Sequence, residues 1–511
     1  MSKEYDALME QHPLHQQLRG RWKYLLNSFI GGQIYSSAGY LTRYAYESET
    51  EYHERLAHTP LDNHCKGVIN VYNSFLFRES AERDFGSIAT DPALMPFLED
   101  CDLEGRTLDA FLKDVSTYSS IFGHTWMLLV KPQTNARTRA DELAQEIRPY
   151  LNLLTPLAVL DWRYERAPSG VYYLAYLKYI EDTEFRGRTV IKEWTEQDIT
   201  TTVLNDDKKA VEEKTIEVNG LGQIPAVCVY NQRSTMRGIG FSDIEDISDA
   251  QRFLYNLYSE IDQSTRISGH PSLCKTADVE AVAGAGAIIQ MPENLDPGLK
   301  PYMLSVATDT ASMWDSVTNT IESIDRMGNT GSVRAKTTRT MSGVAMEVEF
   351  NMLAARLSEK ADNLEVAEES MWRLWARYQA KVWDGEIDYP DSFSINDEDK
   401  EFNNLVKAKS AANDPVLLRV IDEKLLELLG EEKERLAFVD PNPQTGRTYA
   451  DGEAIPDSLP NAYQPADNPA VPEGQNCANC EYYKPGELYC TKFDAPVRAV
   501  YWCAKWEPTE D

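Results

Sequence analysis

Between Met346 and Val382, apolar residues recur at three- and four-residue steps: Met346, Phe350, Leu353, Leu357, Ala361, Leu364, Ala367, Met371, Leu374, Tyr378 and Val382. No proline or glycine falls between Val344 and Asp384. This is one apolar stripe on one long helix, predicted over Val344–Trp383 and closed by Asp384-Gly385. A polar loop, Gly328 to Ser342, leads into it and carries Arg334, Lys336 and Arg339 with no acid.

Other segments carry the same period. Apolar positions at helical spacing run from Lys66 to Phe77 and from Leu108 to Ile121, and most of the first eighty residues reads as helix broken by loops. The period then changes. Trp126–Val130, Leu157–Trp162, Val171–Ile180, Val190–Trp194 and Ile224–Tyr230 are β-rich runs separated by turn residues, which predicts a mainly antiparallel meander. Ser242-Asp-Ile-Glu245 has capping-box spacing, and the helix it opens is predicted to reach Ile267, ahead of His270-Pro271. Gly269 to Ala307 holds strand-like pieces at Ala287–Met291 and Tyr302–Val306, and a helix follows from Thr308 to Met327. Asp414 before Pro415 caps a further helix, Val416 to Leu429. Seven prolines between Pro441 and Pro472 predict a linker. The fold class is α+β.

Charge changes how the loop is read. The chain has 511 residues, 82 acids against 51 Lys and Arg, and a net charge of −31. A free-standing nucleic-acid binder has the opposite balance. Any contact with DNA is then local and weak, made by cations such as Arg334, Lys336 and Arg339 on a mobile loop; the plain alternative is a solvated surface loop. No apolar run approaches the ~18 residues of a membrane span. The N-terminal residues Met1 to Asp6 have no secretory character, so the expected setting is cytoplasm-like.

Eight cysteines are unevenly spread. Cys65, Cys101, Cys228 and Cys274 are scattered and read as reduced structural thiols. Cys477, Cys480, Cys490 and Cys503 cluster near the C-terminus, opening with a C-x2-C pair. Four thiols at that spacing point to a bound metal rather than disulfides in a reducing compartment. Tyr482, Tyr483, Tyr489, Phe493, Tyr501, Trp502 and Trp506 lie among them and would shield a cluster from water.

Enzymatic motifs are weak. Ala283-Gly-Ala-Gly286 lacks the Lys-Ser/Thr of a phosphate loop. His58, His64 and Cys65 offer too few ligands for a convincing metal site. Neither a nucleophile elbow nor HExxH occurs, and no catalysis is expected.

The order of elements resembles the portal proteins of tailed bacteriophages over roughly Tyr44 to Leu429. The features that carry the likeness are Ser119-Ser-Ile-Phe-Gly-His-Thr-Trp-Met-Leu-Leu129, a meander ending in Gly220-Leu-Gly-Gln-Ile-Pro-Ala-Val-Cys-Val-Tyr230, the capped helix from Gly240, and the long helix opening at Ser342-Gly-Val-Ala-Met346. The resemblance implies a ring subunit with an N-terminal α+β wing region at 1–240. Stem helices fall in 241–327 with a small β clip at 269–307. A tunnel loop at 328–342 and a long wing helix at 343–383 come next. A crown-like helical region at 384–440, the Pro-rich linker at 441–472 and a four-cysteine metal-binding module at 473–511 complete the chain.

The resemblance further implies a homo-oligomeric ring of about twelve at one capsid vertex. That ring would be assembled in host cytoplasm and set among major capsid or scaffold protein. Double-stranded DNA would pass non-specifically through its channel during packaging and ejection. The terminase large subunit, then a neck or tail adaptor protein, would dock on it, and no membrane is involved. The alternative is an iron–sulfur redox or DNA-processing enzyme. An acidic channel repels phosphates, so DNA slides rather than sticks. The C-terminal segment resembles high-potential iron–sulfur proteins, which implies a 4Fe-4S cluster on Cys477, Cys480, Cys490 and Cys503. Spacings shorter than that family's leave zinc as the alternative.

Overall fold

The computed structural model describes residues 3–132, 138–181, 187–205, 209–269, 272–274, 296, 302–304, 310–334, 343–390, 393, 405–409, short pieces between 418 and 425, and most of 449–508. Two compact units form, 1–394 and 395–511. The expected strand Ala287–Met291, the Ala283–Gly286 turn, Lys336, Arg339 and most of the Val416–Leu429 helix lie outside the described residues.

The first unit is built on helices with legible ends. Ser48 and Glu51 form a reciprocal capping box on Glu49–His58. Thr107 caps Leu108–Phe122, and Gly123 closes that helix at φ 89°, a left-handed conformation suited to glycine. His124–Val130 follows at once and lies at the centre of a three-stranded antiparallel sheet, between Tyr150–Leu154 and Ala226–Tyr230. All but its last residue are buried, as its unbroken apolar run requires.

The meander is a separate sheet. Val159–Arg166, Tyr172–Glu181, Arg188–Trp194, Asp198–Asn205 and Ala210–Val218 pair antiparallel in chain order. The single meander expected from sequence is thus two sheets, because strands 124–130 and 226–230 pair with each other across the intervening hundred residues. Strands 150–154, 198–205 and 210–218 add to those expected. The last of these is exposed along nearly its whole length, which removes the apolar alternation that marks a strand in sequence.

Where strand 226–230 leads on toward the next helix, two backbones nearly touch. A Cβ on Gly240 would sit 2.0 Å from the Gly123 carbonyl oxygen, and one on Gly123 would sit 2.3 Å from that of Gly240. Only glycine fits either position. The next helix, Glu245–Gly269, packs with Thr310–Met327, and a short antiparallel hairpin, Ser272–Cys274 with Tyr302–Leu304, lies between them in sequence. Ser242 accepts from the Ile244 amide and donates to the Ile121 carbonyl. The expected reciprocal arm of the capping box is used otherwise: Glu245 takes an ion pair from Arg21 at 2.6 Å.

The long helix runs Gly343–Tyr378. Phe350, Leu353, Leu357, Ala361, Leu364, Ala367, Met371 and Leu374 are all buried, as the stripe predicts. It stops short of Trp383 because Ala380 turns left-handed at φ 54°, which leaves Val382 79% exposed. Near its end Trp372 and Trp375 pack edge to face and lie against Phe97. Beside them Glu368, fully buried, accepts from Arg83 at 2.6 Å, Tyr389 at 2.6 Å and the Trp372 indole at 3.0 Å. A buried carboxylate is tolerable only with such partners.

In the second unit, residues 449–508 form a small module of two-residue strands. Tyr483–Lys484, Tyr489–Cys490 and Ala495–Pro496 make one sheet, and Gln464–Pro465 pairs with Tyr501–Trp502. Its core includes Tyr449, Ile455, Leu459 and Tyr463. Part of the stretch read as a Pro-rich linker is therefore packed, and the module begins well before residue 473.

Candidate functional site: a loop base, an ionic junction and four thiols

The cationic loop begins on a pinned base. Tyr72 donates to the Gly328 carbonyl at 2.5 Å, and the Thr330 amide donates to the Asp325 carbonyl at 2.9 Å. Gly331–Arg334 forms one short helical turn. The Arg334 guanidinium lies 3.0 Å from the Asp325 carboxylate and donates to His64 Nδ1 at 2.7 Å. His64 Nε2 in turn lies 3.1 Å from Asp62. Of the three loop cations, Arg334 is thus engaged inside the subunit, half-buried, with its partners on other helices. Neither partner was read from the sequence, which grouped Arg334 with Lys336 and Arg339 as DNA-facing cations.

About four turns into the long helix, Arg356 and Lys360 form a second charged group around Asp243. Asp243 precedes the 245–269 helix, and its side chain is buried. It accepts from Lys360 at 2.6 Å, Arg356 at 2.6 Å and Asn231 at 2.9 Å. Lys360 also donates to Ser120 at 2.9 Å and to the Asn231 side chain. Burial alone would raise the Asp243 carboxyl, but the two cations hold it down at about 2. Burial pushes the Lys360 ammonium down from its ordinary value, with Asp243 opposing. This junction ties the end of the 108–122 helix, the 226–230 strand exit, the 245–269 helix and the long helix into one rigid node.

The four cysteines lie in the small module. Cys477, Cys480, Cys490 and Cys503 are each buried and unbridged. Burial first, then the neighbouring Cys503, Cys480 and Cys490, push the Cys477 thiol up to about 12; the Cys503 thiol moves the same way, by burial and then its neighbours Cys480 and Cys490. Chain turns bring them together: Leu488 and Asp494 both sit left-handed at φ 48°, and the Cys480 amide donates to the Cys477 carbonyl at 3.1 Å. Tyr482, Tyr483 and Phe493 pack around this core, and the Trp506 indole donates to the Asn476 carbonyl at 2.9 Å. Among the described residues, no three His, Cys, Asp or Glu groups converge on a position for a single ion. A set of four enclosed, neighbouring thiols is the donor set an iron–sulfur cluster takes.

No helix among the described residues is long and apolar enough to cross a membrane. Residues 40–413 match the family described as "Phage portal protein, SPP1 Gp6-like". Residues 458–510 match "High potential iron-sulfur protein". No curated protein matches the chain. Similar solved structures include the neck of an empty GTA particle with C6 symmetry and the neck of a native GTA particle with C12 symmetry. Each is 11% identical over 79% of this chain and 99% of that chain, with a TM-score of 0.42. The virion of a native gene transfer agent particle is also similar, at 11% identity, 78% and 98% coverage and a TM-score of 0.41.

Proposed function

The chain belongs to the phage portal protein family, and from that premise we propose that it is the ring subunit at one vertex of a virion, forming the channel for double-stranded DNA. The family match over residues 40–413 is the observation that carries this reading. The ring holds about twelve copies in this reading, closed by one heterologous contact repeated around it. The 272–274 and 302–304 hairpin, at the tip of the paired helices 245–269 and 310–327, is the docking point for the terminase large subunit and then for a neck or tail adaptor protein. Major capsid or scaffold protein surrounds the wing, and assembly takes place in host cytoplasm. The role is mechanical rather than catalytic.

DNA handling follows from charge. The net charge of −31 disfavours tight binding, so the duplex slides. Lys336 and Arg339 supply weak phosphate contacts without reading bases. Arg334, the third loop cation, acts from the base: its pairing with Asp325 and His64 anchors the loop where it leaves the body.

The C-terminal module holds a 4Fe-4S cluster through Cys477, Cys480, Cys490 and Cys503, supported by the family match at 458–510 and by the enclosed thiol set. Such a cluster supplies one-electron exchange when bound. In this module the four cysteines orient it, and Tyr482, Tyr483 and Phe493 keep water from it. Zinc is the other outcome of metal analysis.

Immunogold labelling of a tag on this chain in purified particles tests the location. Label at a single vertex is expected. Label spread over the capsid, or absent from particles, contradicts the reading.

A further inference from the structure

The turn that follows the helix Thr310–Met327 is tied to a distant helix through one imidazole. Asn329 takes a left-handed φ of 52°, and the backbone folds back. The Thr330 amide donates to the Asp325 carbonyl at 2.9 Å, and the Val333 and Arg334 amides donate to the Thr330 carbonyl at 3.1 and 2.9 Å. This carries the Arg334 side chain across the first turn of the helix His64–Leu76, where a Cβ on Gly67 would lie 3.4 Å from the guanidinium. His64, the first residue of that helix, is only 4% exposed.

The contacts fix the state of the ring. Arginine can only donate, so the 2.7 Å bond from Arg334 to His64 Nδ1 requires a lone pair on that nitrogen. The proton of the neutral ring then sits on Nε2, 3.1 Å from the Asp62 carboxylate. His64 holds the Asp62 carboxyl below its ordinary value, with burial opposing. Asp325 of helix 310–327 lies 3.0 Å from Arg334, and Glu349 of the long helix faces Gly331. Cys65 follows on the same helix, and Tyr258 of helix 245–269 lies near Asp62. Burial pushes both the Cys65 thiol and the Tyr258 hydroxyl up, so neither gains charge near neutral pH. Histidine is the side chain whose charge ordinarily changes between about pH 5 and 8.

Resting on the anchoring role given to Arg334 above, we infer that His64 is a pH-sensitive latch for the 328–334 turn: the neutral ring holds Arg334 and the charged ring lets it go. An added proton takes the Nδ1 lone pair, and an N–H then faces the guanidinium N–H. Two donors of like charge repel at that distance instead of bonding. Asp62 makes the released state tolerable, because it stays beside the imidazolium while Asp325 keeps Arg334. Release is local, since Tyr72 still donates to the Gly328 carbonyl at 2.5 Å. The held state binds one proton fewer than the released state, so holding dominates at higher pH and release grows as pH falls. His64 is thus a positioning residue, acting on the turn through Arg334.

Hydrogen exchange of the full chain, expressed as protection relative to the unfolded rate at each pH, reads the amides of Thr330, Val333 and Arg334. The parent should be protected at about pH 8 and lose roughly tenfold in protection by about pH 5.5, the worth of one hydrogen bond to a charged group. Helix 108–122 should not change over that range. His64→Asn puts an amide oxygen in place of Nδ1 and should stay protected at both pH values. Asp62→Asn alters a side chain that is 55% exposed, so the fold should survive. It removes the counter-charge of the imidazolium and should move release to lower pH. A parent without pH dependence, a His64→Asn chain that loosens as the parent does, or an Asp62→Asn midpoint no lower than the parent's overturns the inference. Arg334→Ser keeps the two readings apart. It should be loose at both pH values; protection equal to the parent's would remove the anchoring role itself.

Discussion

The body and the C-terminal module solve the problem of stability in opposite ways. The body buries three tryptophans completely, Trp126, Trp372 and Trp375, and threads charged nodes through that core. The module has two-residue strands and ten buried core residues, three of them cysteines. A unit that small buries a smaller share of its apolar surface, and units of this size commonly add a metal or disulfides as a staple. In the proposed cluster-loaded form, the module draws from bound metal what the body draws from packing.

Removing the metal should break this comparison most visibly. Cys477→Ser with Cys490→Ser should abolish metal binding and leave 449–508 open to protease, since metal binding in such modules supplies on the order of 10 kcal/mol. The body's melting should not move. A metal-free module that resists protease would show that its aromatic core suffices.

The reverse experiment acts on the body alone. Asp243→Asn leaves the buried Lys360 and the half-buried Arg356 without their counter-charge and should cost about 3–5 kcal/mol, read by denaturant unfolding. Metal content should stay unchanged. Because breaking a buried pair costs more than replacing it, Asp243→Asn with Lys360→Met should recover part of the loss.

Acid gives a smaller, graded version. The Asp243 carboxyl is depressed to about 2 in the folded chain against roughly 3.9 unfolded. Its contribution is fully present above pH ~4 and is lost as pH falls through ~2, on the order of 1–3 kcal/mol in all. The parent's body should lose this stability between those values, and Asp243→Asn should lose correspondingly less.

The loop carries the smallest effects. Lys336→Ser with Arg339→Ser should reduce the log–log salt slope of DNA binding by roughly 0.9 per lost phosphate contact, equally for unrelated sequences. Arg334→Ser should instead loosen the loop base, seen as faster hydrogen exchange at residues 328–334. An equal salt effect from all three cations would show Arg334 acting as a third phosphate contact.

Legibility in the sequence followed the same divide. The long helix could be read because every third or fourth residue meets the core, and Phe350 through Leu374 are buried as that spacing demands. Its end could not, because Ala380 takes a conformation that glycine usually marks. The 210–218 strand was missed because it buries neither face. Tyr449, Ile455, Leu459 and Tyr463 were hidden by the prolines between them, whose linker signature outweighs four isolated apolar residues. The four thiols announced themselves by spacing alone. Asp243 did not, since a single acid among 82 gains meaning only when Lys360 and Arg356 fold against it.

In the proposed assembly, identical subunits close into a ring and each carries its own metal module. Native mass spectrometry of the full chain, purified without oxygen, weighs both parts at once. A closed assembly of about twelve 58.0 kDa chains is expected, with added mass for one four-iron cluster per subunit. Monomers or dimers at every salt, or rings whose mass is that of protein alone, would contradict it.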